Sequence, residues 1–439
     1  MSERQIFAKC AWRLLPLMTV LLIVNYIDRT NVGFAALTMN KDLGFTPEIF
    51  GFGAGILLIG YALFQVPANV ILERMGTRRW IFCIMAAWGL LSASNAFVHS
   101  PASFYVLRFL IGVAEAGLTP GMVYYLTLWF PSEYRTRFTA IYMCALPLSG
   151  TIGAPLSAVI LQMDGIGGLH GWQWMFLLEG APATALAFAV LKLLPDGPAD
   201  SEWLNEVEKQ TVAARLDAEP AQKKDLWVAL RDPRVLALFL VGFANGFSQY
   251  GTGLWLPQIV NAMGFSTLAT GSVVALCNAI AVLAVIFVAI STDRRGERSR
   301  HGALAQLVAV AGYLAAIVAS GNVLILLGLT LAVAGTMSAI APFFTIAPTF
   351  LKGAAAAGGI ALINTGVSLG GFAGPVVIGV LRQQSGDYAS SMAVLAGVLM
   401  GSAVILLALG RVMAIGAAKA AVAARAMPVF APVSGRRRD

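Results

Sequence analysis

Residues 14–34 read LLPLMTVLLIVNYIDRTNVGF, and this stretch decides the class of fold. An apolar run comes first, and it continues through Tyr26, Asp28 and Arg29 without a break. A helix of about 21 residues rises about 30 Å, which matches the hydrocarbon core of a bilayer. Because no small-residue cleavage site follows the run, we interpret it as a retained transmembrane span and not as a signal peptide.

The composition of the whole chain agrees with a membrane protein. Of 439 residues, 58% are hydrophobic and 12% are charged, and the mean hydropathy is +0.77. Soluble proteins are about 45–50% apolar and about 25% charged. The composition therefore argues against a soluble enzyme.

Apolar stretches of span length recur along the chain. They lie at about 14–34, 52–72, 80–98, 103–129, 138–161, 174–194, 235–260, 270–290, 302–320, 324–346, 358–381 and 390–410. This predicts an all-α polytopic membrane protein with twelve transmembrane helices.

The basic residues lie almost all on one side of the predicted membrane. Of the 30 Lys and Arg residues, 26 fall in loops and termini on the side of the N-terminus, and Lys41 and Arg382 fall on the other side. Arg29 and Arg108 lie within spans. Because cytoplasmic loops carry the excess of Lys and Arg, we predict a cell (inner) membrane protein with both termini in the cytoplasm.

One long polar connection divides the chain into two sets of six spans. It contains Pro195, Pro198 and Pro220, and residues 201–216 have apolar positions at helical spacing. We therefore predict four parts: a six-helix bundle at 1–194, a cytoplasmic connecting loop with a short surface helix at 195–234, a second six-helix bundle at 235–410, and a basic cytoplasmic tail at 411–439.

Two features repeat at nearly the same interval. Glu73-Arg74 follows span 2 and Asp293-Arg294 follows span 8, with a shift of 220 residues. Gly150 and Gly153 reappear as Gly371 and Gly374, with a shift of 221. Such parallel repeats are typical of transporters that bind substrate near the midplane, between the halves.

The loop after span 2 reads ERMGTRR at 73–79, an acidic residue, a basic residue, a glycine and two more basic residues. Gly76 can supply a positive φ in this tight turn. The loop resembles the signature loop of the major facilitator superfamily, with Glu73 in place of the usual aspartate. The resemblance implies a gating role for Glu73, Arg74, Gly76, Arg78, Arg79, Asp293 and Arg294.

A narrower resemblance, to the anion:cation symporter family, covers nearly the whole chain. It rests on NYIDRTN at 25–31, RFLIGVAEAG at 108–117, GW at 171–172 with LEG at 178–180, and GIALIN at 359–364 with GGF at 370–372. Residues 367–371 read VSLGG where family members often have GNLGG. A polar contact from that asparagine is therefore not expected in this chain.

Four charged residues, Asp28, Arg29, Arg108 and Glu115, lie deepest in the apolar runs. A charge at such depth costs at least about 2.5–3.5 kcal/mol and indicates function by default. Arg108 and Glu115 are seven residues apart and share a helix face, so they can also form a structural ion pair. The four charges sum to zero, and protonation of one carboxylate leaves a positive site that attracts an anion.

The family resemblance gives these residues roles. It implies that Arg29 binds a substrate carboxylate, that Asp28 and Glu115 couple protons, and that Arg108 is the partner of Glu115. A planar guanidinium suits a carboxylate because it forms two parallel hydrogen bonds. Further candidates for substrate binding are the uncharged polar residues Tyr26, Gln249, Tyr250, Asn364 and Ser368, although each suits an interhelical hydrogen bond equally well.

The function predicted from these features is symport of a small organic anion with protons. An antiporter or exporter, and a Na⁺-coupled carrier, remain as alternatives. An HExxH motif, a Walker A loop and a lysine in mid-span are all missing, which argues against a membrane metalloenzyme, an ATP-driven pump and a retinal receptor.

The expected partners are the organic anion, protons and the lipid bilayer. We expect no nucleic acid, cofactor or metal, no enzymatic activity, and a monomer. The resemblance implies sugar acids, tartrate-like hydroxy acids, phthalate or other aromatic acids as substrates. Tyr26, Tyr250 and the segment PFF at 342–344 favour an aromatic or hydroxylated carboxylate.

Overall fold

The computed structural model of the chain describes residues 2–143, 145–217, 231–351 and 353–426, and these residues are almost entirely helical. The helices are α1 (Glu3–Asp42), α2 (Pro47–Met75), α3 (Thr77–Ser94), α4 (Pro101–Glu115), α5 (Leu118–Trp129), α6 (Ser132–Met143), α7 (Ala145–Ile160), α8 (Gly171–Leu193), α9 (Glu206–Asp217), α10 (Pro233–Ala262), α11 (Thr267–Arg295), α12 (Arg298–Val318), α13 (Asn322–Ser338), α14 (Ile340–Ile346), α15 (Gly353–Ser385) and α16 (Ala389–Ala426).

Ten helical segments of the described chain are long and apolar enough to cross a membrane. Leu148–Met163 is apolar but shorter, and α10 falls outside the ten because its middle reads FANGFSQYGTG. The membrane class is therefore confirmed, and the count of twelve spans stays a prediction.

The predicted span at 103–129 is interrupted. Helix α4 ends at Glu115 and α5 begins at Leu118, with Ala116 and Gly117 between them. A Cβ on Gly117 would lie 2.7 Å from Nε1 of Trp80, so only glycine fits this close approach to α3. The interruption places the buried carboxyl of Glu115 at a helix end.

The shift of 220–221 residues found in the sequence also relates contacts in the structure. Three pairs of glycine contacts repeat with it: Gly150 with Asn278 and Gly371 with Leu58, Gly153 with Ile27 and Gly374 with Phe247, and Gly271 with Ala154 and Gly51 with Pro375. These contacts join α7 to α11 and α15 to α2, as well as α1 to α7 and α10 to α15. The two halves of the chain therefore pack with the same local geometry.

The halves meet closely at one end of the bundle. This end, which we call the turn end, holds the connection between α1 and α2 at 43–46; the opposite end, the linker end, holds the chain start and α9. At the turn end, a Cβ on Gly51 would lie 2.4 Å from the Pro375 carbonyl oxygen, and one on Gly379 would lie 2.5 Å from that of Pro47. Towards the linker end, large apolar residues of α2 and α11 are exposed, among them Val66, Val70, Leu283, Phe287 and Ile290.

Part of the connecting segment packs on the linker end. Helix α9 lies inside the predicted connection, and Lys9 of α1 donates a 2.7 Å hydrogen bond to Glu208. This hydrogen bond holds the pKa of the Glu208 carboxyl below its ordinary value. Trp203 stacks on Trp129 of α5 at 5.4 Å between ring centroids. Residues 218–230 of the predicted connection and 427–439 of the predicted tail lie outside the described residues.

The tight contact between α2 and α4 gives a test of the packing. A Cβ on Gly112 would lie 1.9 Å from the Leu57 carbonyl oxygen, so Gly112→Ala forces the helices apart. We expect it to lower the free energy of unfolding by about 1–3 kcal/mol, measured by thermal unfolding in detergent.

Gly397→Ala is the matched control, because nothing lies within 4 Å of a Cβ at that exposed position of α16. Its stability is expected to equal or slightly exceed that of the parent, since alanine has the higher helix propensity. Equal stability of both variants would contradict the packing described here.

Candidate functional site

The centre of the bundle contains a buried ion pair between α1 and α4. Arg29 donates from Nε to Oε2 of Glu115 at 3.0 Å, and its Nη2 pairs with the same oxygen. Arg29 is 5% exposed and Glu115 is fully buried. The second carboxylate oxygen of Glu115 has no hydrogen-bond partner among the described residues.

Three tyrosines surround the Arg29 guanidinium. Its Nη1 donates a 3.0 Å hydrogen bond to the hydroxyl of Tyr250, which lies on α10 in the second half of the chain. The rings of Tyr26 and Tyr61 each lie with their centroids 5.1 Å from the guanidinium carbon. A cation over aromatic faces is stabilised by their quadrupoles, and most where water is excluded.

Asp28 lies next to Arg29 in the chain but has a different set of partners. It accepts a 2.7 Å hydrogen bond from Nε1 of Trp88, a second one from the Ser92 hydroxyl and a 3.4 Å one from Nδ2 of Asn31. It is 1% exposed. Neutral donors therefore hold this carboxyl group, and no basic residue of the described chain forms an ion pair with it within 4 Å.

Arg108 does not contact Glu115 in the way that the family resemblance implies. The structure places Arg29 on Glu115 instead, and the described residues give Arg108 no ion pair within 4 Å. Its Nε is buried without a hydrogen-bond partner. Arg108 interacts at longer range with the charges of Asp28 and Glu115. The four predicted charges thus lie together, but their pairing differs from the expected one.

A cavity of about 920 Å³, its open mouth included, lies beside this cluster between the two halves. Its walls come from α1, α7, α10, α11 and α13, and no lining residue is charged. The polar residues of the lining are Tyr26, Thr30, Ser149, Ser157, Gln249, Tyr250, Thr252, Asn278 and Thr336. Tyr26 and Tyr250 are shared between the cavity wall and the surroundings of Arg29, so the guanidinium lies directly behind this wall.

The structure separates the predicted substrate-binding residues into two groups. Tyr26, Gln249 and Tyr250 line the cavity, whereas Asn364 and Ser368 do not belong to its lining. Ser368 is buried and Asn364 is half-buried on α15. A role for these two residues stays a prediction.

Tyr61 is a site residue that the sequence analysis missed. It stands alone in an apolar stretch, LLIGYALF at 57–64, with no charged or amide neighbour. A phenolic hydroxyl in mid-span is the only sequence signal at this position. It does not distinguish a residue at the site from an aromatic that packs in the core.

The predicted gating loop is a tight turn at the linker end. Gly76 has φ +82° and connects α2 to α3. The backbone N–H of Arg78 donates to Oδ1 of Asp196 at 3.0 Å, within the same half of the chain. Arg74, Arg79, Asp293 and Arg294 are exposed, and the side chain of Glu73 lies outside the described part. Gating by these residues stays a prediction.

Comparison with known proteins gives the family. The family model of the Major Facilitator Superfamily matches residues 18–375. The chain belongs to the major facilitator superfamily. It is therefore a membrane transporter, and a bundle with its cavity between two repeated halves is what this family predicts.

Individual relatives extend over almost the whole chain of this major facilitator. A protein of Agrobacterium vitis named "Putative tartrate transporter" is 42% identical over 413 residues, covering 93% of this chain and 92% of that protein. The "Quinolone resistance transporter" of Acinetobacter baumannii is 38% identical over 405 residues, covering 91% and 93%.

A solved structure supports the fold. The crystal structure of a bacterial homologue of the human lysosomal transporter Spinster, inward-facing and unoccupied, has a TM-score of 0.72 at 17% sequence identity. It covers 91% of this chain and 95% of that chain. At this identity the similarity concerns the fold alone.

The donors around Asp28 give a test of the site. Trp88→Phe removes the Nε1–H that Asp28 accepts, and a hydrogen bond to a charged group is worth about 1.5–3 kcal/mol. Trp80→Phe on the same helix is the control, because Nε1 of Trp80 is buried without a partner. We expect Trp88→Phe to be the more destabilising of the two by about this amount in chemical unfolding. Equal losses would mean that the Trp88 hydrogen bond contributes nothing.

Proposed function

We propose that this transporter takes up a small organic anion together with protons, by alternating access. The observation that carries the proposal is the ion pair of Arg29 with Glu115 directly behind the wall of the cavity. The only positive charge next to the wall residues Tyr26 and Tyr250, among the described residues, is thus neutralised by a group that can take up a proton.

Coupling follows from competition for one guanidinium. A carboxylate ligand and the Glu115 carboxylate both suit the planar donor edge of Arg29. When Glu115 takes up a proton its charge disappears, and Arg29 becomes an unpaired cation that binds the anion. When Glu115 loses the proton, it pairs with Arg29 again and the anion is released.

The sum of charges supports the same mechanism. Asp28, Arg29, Arg108 and Glu115 together are neutral when all four are ionised, and they stay neutral when one proton and one monovalent anion bind together. Binding of the anion alone adds an uncompensated charge to a site of low dielectric constant, which is costly. Joint binding is therefore the cheaper route across the membrane.

Tyr250 connects the site to the arrangement of the halves. Its hydroxyl accepts a hydrogen bond from Arg29, so the two sides of the cavity are joined through one polar contact. An anion on Arg29 changes that contact. Occupancy of the site then biases the equilibrium between the open and closed arrangements, as differential binding requires.

The lining of the cavity favours a hydroxylated substrate. Hydroxyls and amides from Thr30, Ser149, Gln249 and Asn278 face a space without charges. Such groups pair with the hydroxyls of a sugar acid or hydroxy acid, and the similarity to the protein named as a tartrate transporter points in the same direction. Aromatic acids are the next candidates, because Tyr26 and Tyr250 also lie in the wall.

Export is the second candidate function. The relative named as a quinolone resistance transporter is 38% identical over most of the chain, and quinolones carry a carboxylate. The same arginine suits both directions of transport. Uptake into vesicles of defined orientation, driven by a pH gradient of either sign, distinguishes the two.

We place the protein in the inner membrane as a monomer with both termini in the cytoplasm. The distribution of Lys and Arg supports this orientation. The linker end is then the cytoplasmic end, and the exposed faces of α2 and α11 border a cavity open to the cytoplasm.

The role of Arg29 is tested by Arg29→Lys. A lysine keeps the charge but cannot form the two-pronged contact, so we expect tartrate uptake into cells to fall to background with normal membrane expression. The control is Arg13→Lys on the same helix, which is exposed and is expected to transport like the parent. Uptake near the parent level in Arg29→Lys would exclude a substrate role for this residue.

The position of the coupled proton is tested by two isosteric variants. Glu115→Gln mimics the protonated carboxyl, so tartrate exchange across vesicles should persist while accumulation driven by a pH gradient disappears. Asp28→Asn is the comparison, because Asp28 is the competing proton site. Accumulation that survives in Glu115→Gln and is lost in Asp28→Asn would move the coupling role to Asp28.

A further inference from the structure

A third buried carboxyl group lies beside the cavity and has no role so far. Glu179 of α8 is 4% exposed, and its Oε1 accepts a 2.7 Å hydrogen bond from the Ser157 hydroxyl. Its Oε2 is buried without a hydrogen-bond partner among the described residues, and no described cation lies within 4 Å of it. An ionised carboxylate in such surroundings is costly, so the site suits a group that takes up a proton.

Ser157 connects Glu179 to the cavity. It lies on α7, and the cavity lining includes it. The hydroxyl can therefore exchange a proton with the cavity on one side and with the carboxyl on the other. A proton that arrives on Oγ of Ser157 forms a new O–H bond there, while the original hydroxyl proton leaves Oγ for Oε1 of Glu179. The reverse steps return the proton to the cavity.

Asn31 connects Glu179 to the charge cluster. Its side chain lies within hydrogen-bonding range of the Glu179 carboxyl, and its Nδ2 donates to Oδ1 of Asp28 at 3.4 Å. The amide oxygen of Asn31 is buried without a partner. A protonated Glu179 can donate to that oxygen, whereas an ionised Glu179 competes with Asp28 for the amide protons. The protonation of Glu179 is thereby sensed by Asp28.

The neighbours of Glu179 offer it no other charge. Helix α8 packs against α1, α3 and α7, and among the titratable residues on these helices Asp28 is the one that interacts electrostatically with Glu179. Two carboxyl groups that share one amide repel each other when both are ionised. One of the two therefore holds a proton at equilibrium.

We propose that Glu179 binds a second transported proton, which reaches it from the cavity through Ser157. This proposal rests on the proposed proton-coupled function and adds a second site to it. Glu179 is a positioning residue for the proton, since it does not touch Arg29. Its loss therefore leaves the control of anion binding by Glu115 intact and removes one proton from the transport cycle.

The number of protons per anion is the quantity to measure. Parent protein is reconstituted in vesicles, the membrane potential is held at zero with potassium and valinomycin, and steady-state L-tartrate accumulation is recorded against the pH gradient. The logarithm of the accumulation ratio rises in proportion to the number of coupled protons. This slope reports an equilibrium, so a variant that is merely slow or partly folded does not change it.

The expected result is a slope lower by about one in Glu179→Gln than in the parent, and a restored slope in Glu179→Asp, which keeps a carboxyl group. Glu202→Gln in the exposed connecting segment is the control and keeps the parent slope. An unchanged slope in Glu179→Gln would overturn the second site while the proposed function stands. A slope of zero in the parent would overturn the proposed function itself.

Ser157→Ala tests the route independently, also where Glu179→Gln does not fold. It retains the carboxyl group but removes the hydroxyl between it and the cavity. We expect the parent slope with a rate of uptake after a pH jump that is about tenfold lower, as for loss of a proton-transfer group. A parent-like rate would overturn the route through Ser157.

Discussion

The buried ion pair between Arg29 and Glu115 is the interaction on which the site depends. Two opposite charges inside a membrane are tolerable only as a close pair, because removal of either one leaves an uncompensated charge in low dielectric. The pair fixes α1 against α4, and the tyrosines around it fill the remaining space. It also gives the protein its switch, since one proton on Glu115 converts a satisfied pair into a site for an anion.

The fold holds this pair through glycines and a broken helix. Gly112 allows α4 to approach the α2 backbone at Leu57, and the interruption at Ala116 and Gly117 leaves the Glu115 carboxyl at the end of α4. Between helices in a membrane, small residues replace the hydrophobic effect as the basis of close packing. The same glycine contacts recur in the second half, where Gln249 and Tyr250 occupy the place of the charges.

Much of the fold and the composition of the charge cluster could be predicted from the sequence. The lengths of the apolar runs, the shift of 220–221 residues and the depth of Asp28, Arg29, Arg108 and Glu115 follow from local pattern alone. The partner of Glu115 did not, because seven-residue spacing shows that Arg108 shares its helix face but says nothing about which residue of α1 faces it. Tyr61 was missed for the same reason, and its partner Arg29 comes from another helix. The break after Glu115 depends on a contact with Trp80 of α3, which a sequence pattern does not contain.

The central claim is that anion binding and proton binding at this site are one event. Its most direct measurement is isothermal titration calorimetry of L-tartrate into the purified protein in buffers of different ionisation enthalpy, near neutral pH. The account predicts that binding takes up at least about one proton per anion, because Glu115 must be protonated for Arg29 to be free. Saturable tartrate binding with the same apparent enthalpy in every buffer, and hence with no proton taken up, would contradict it.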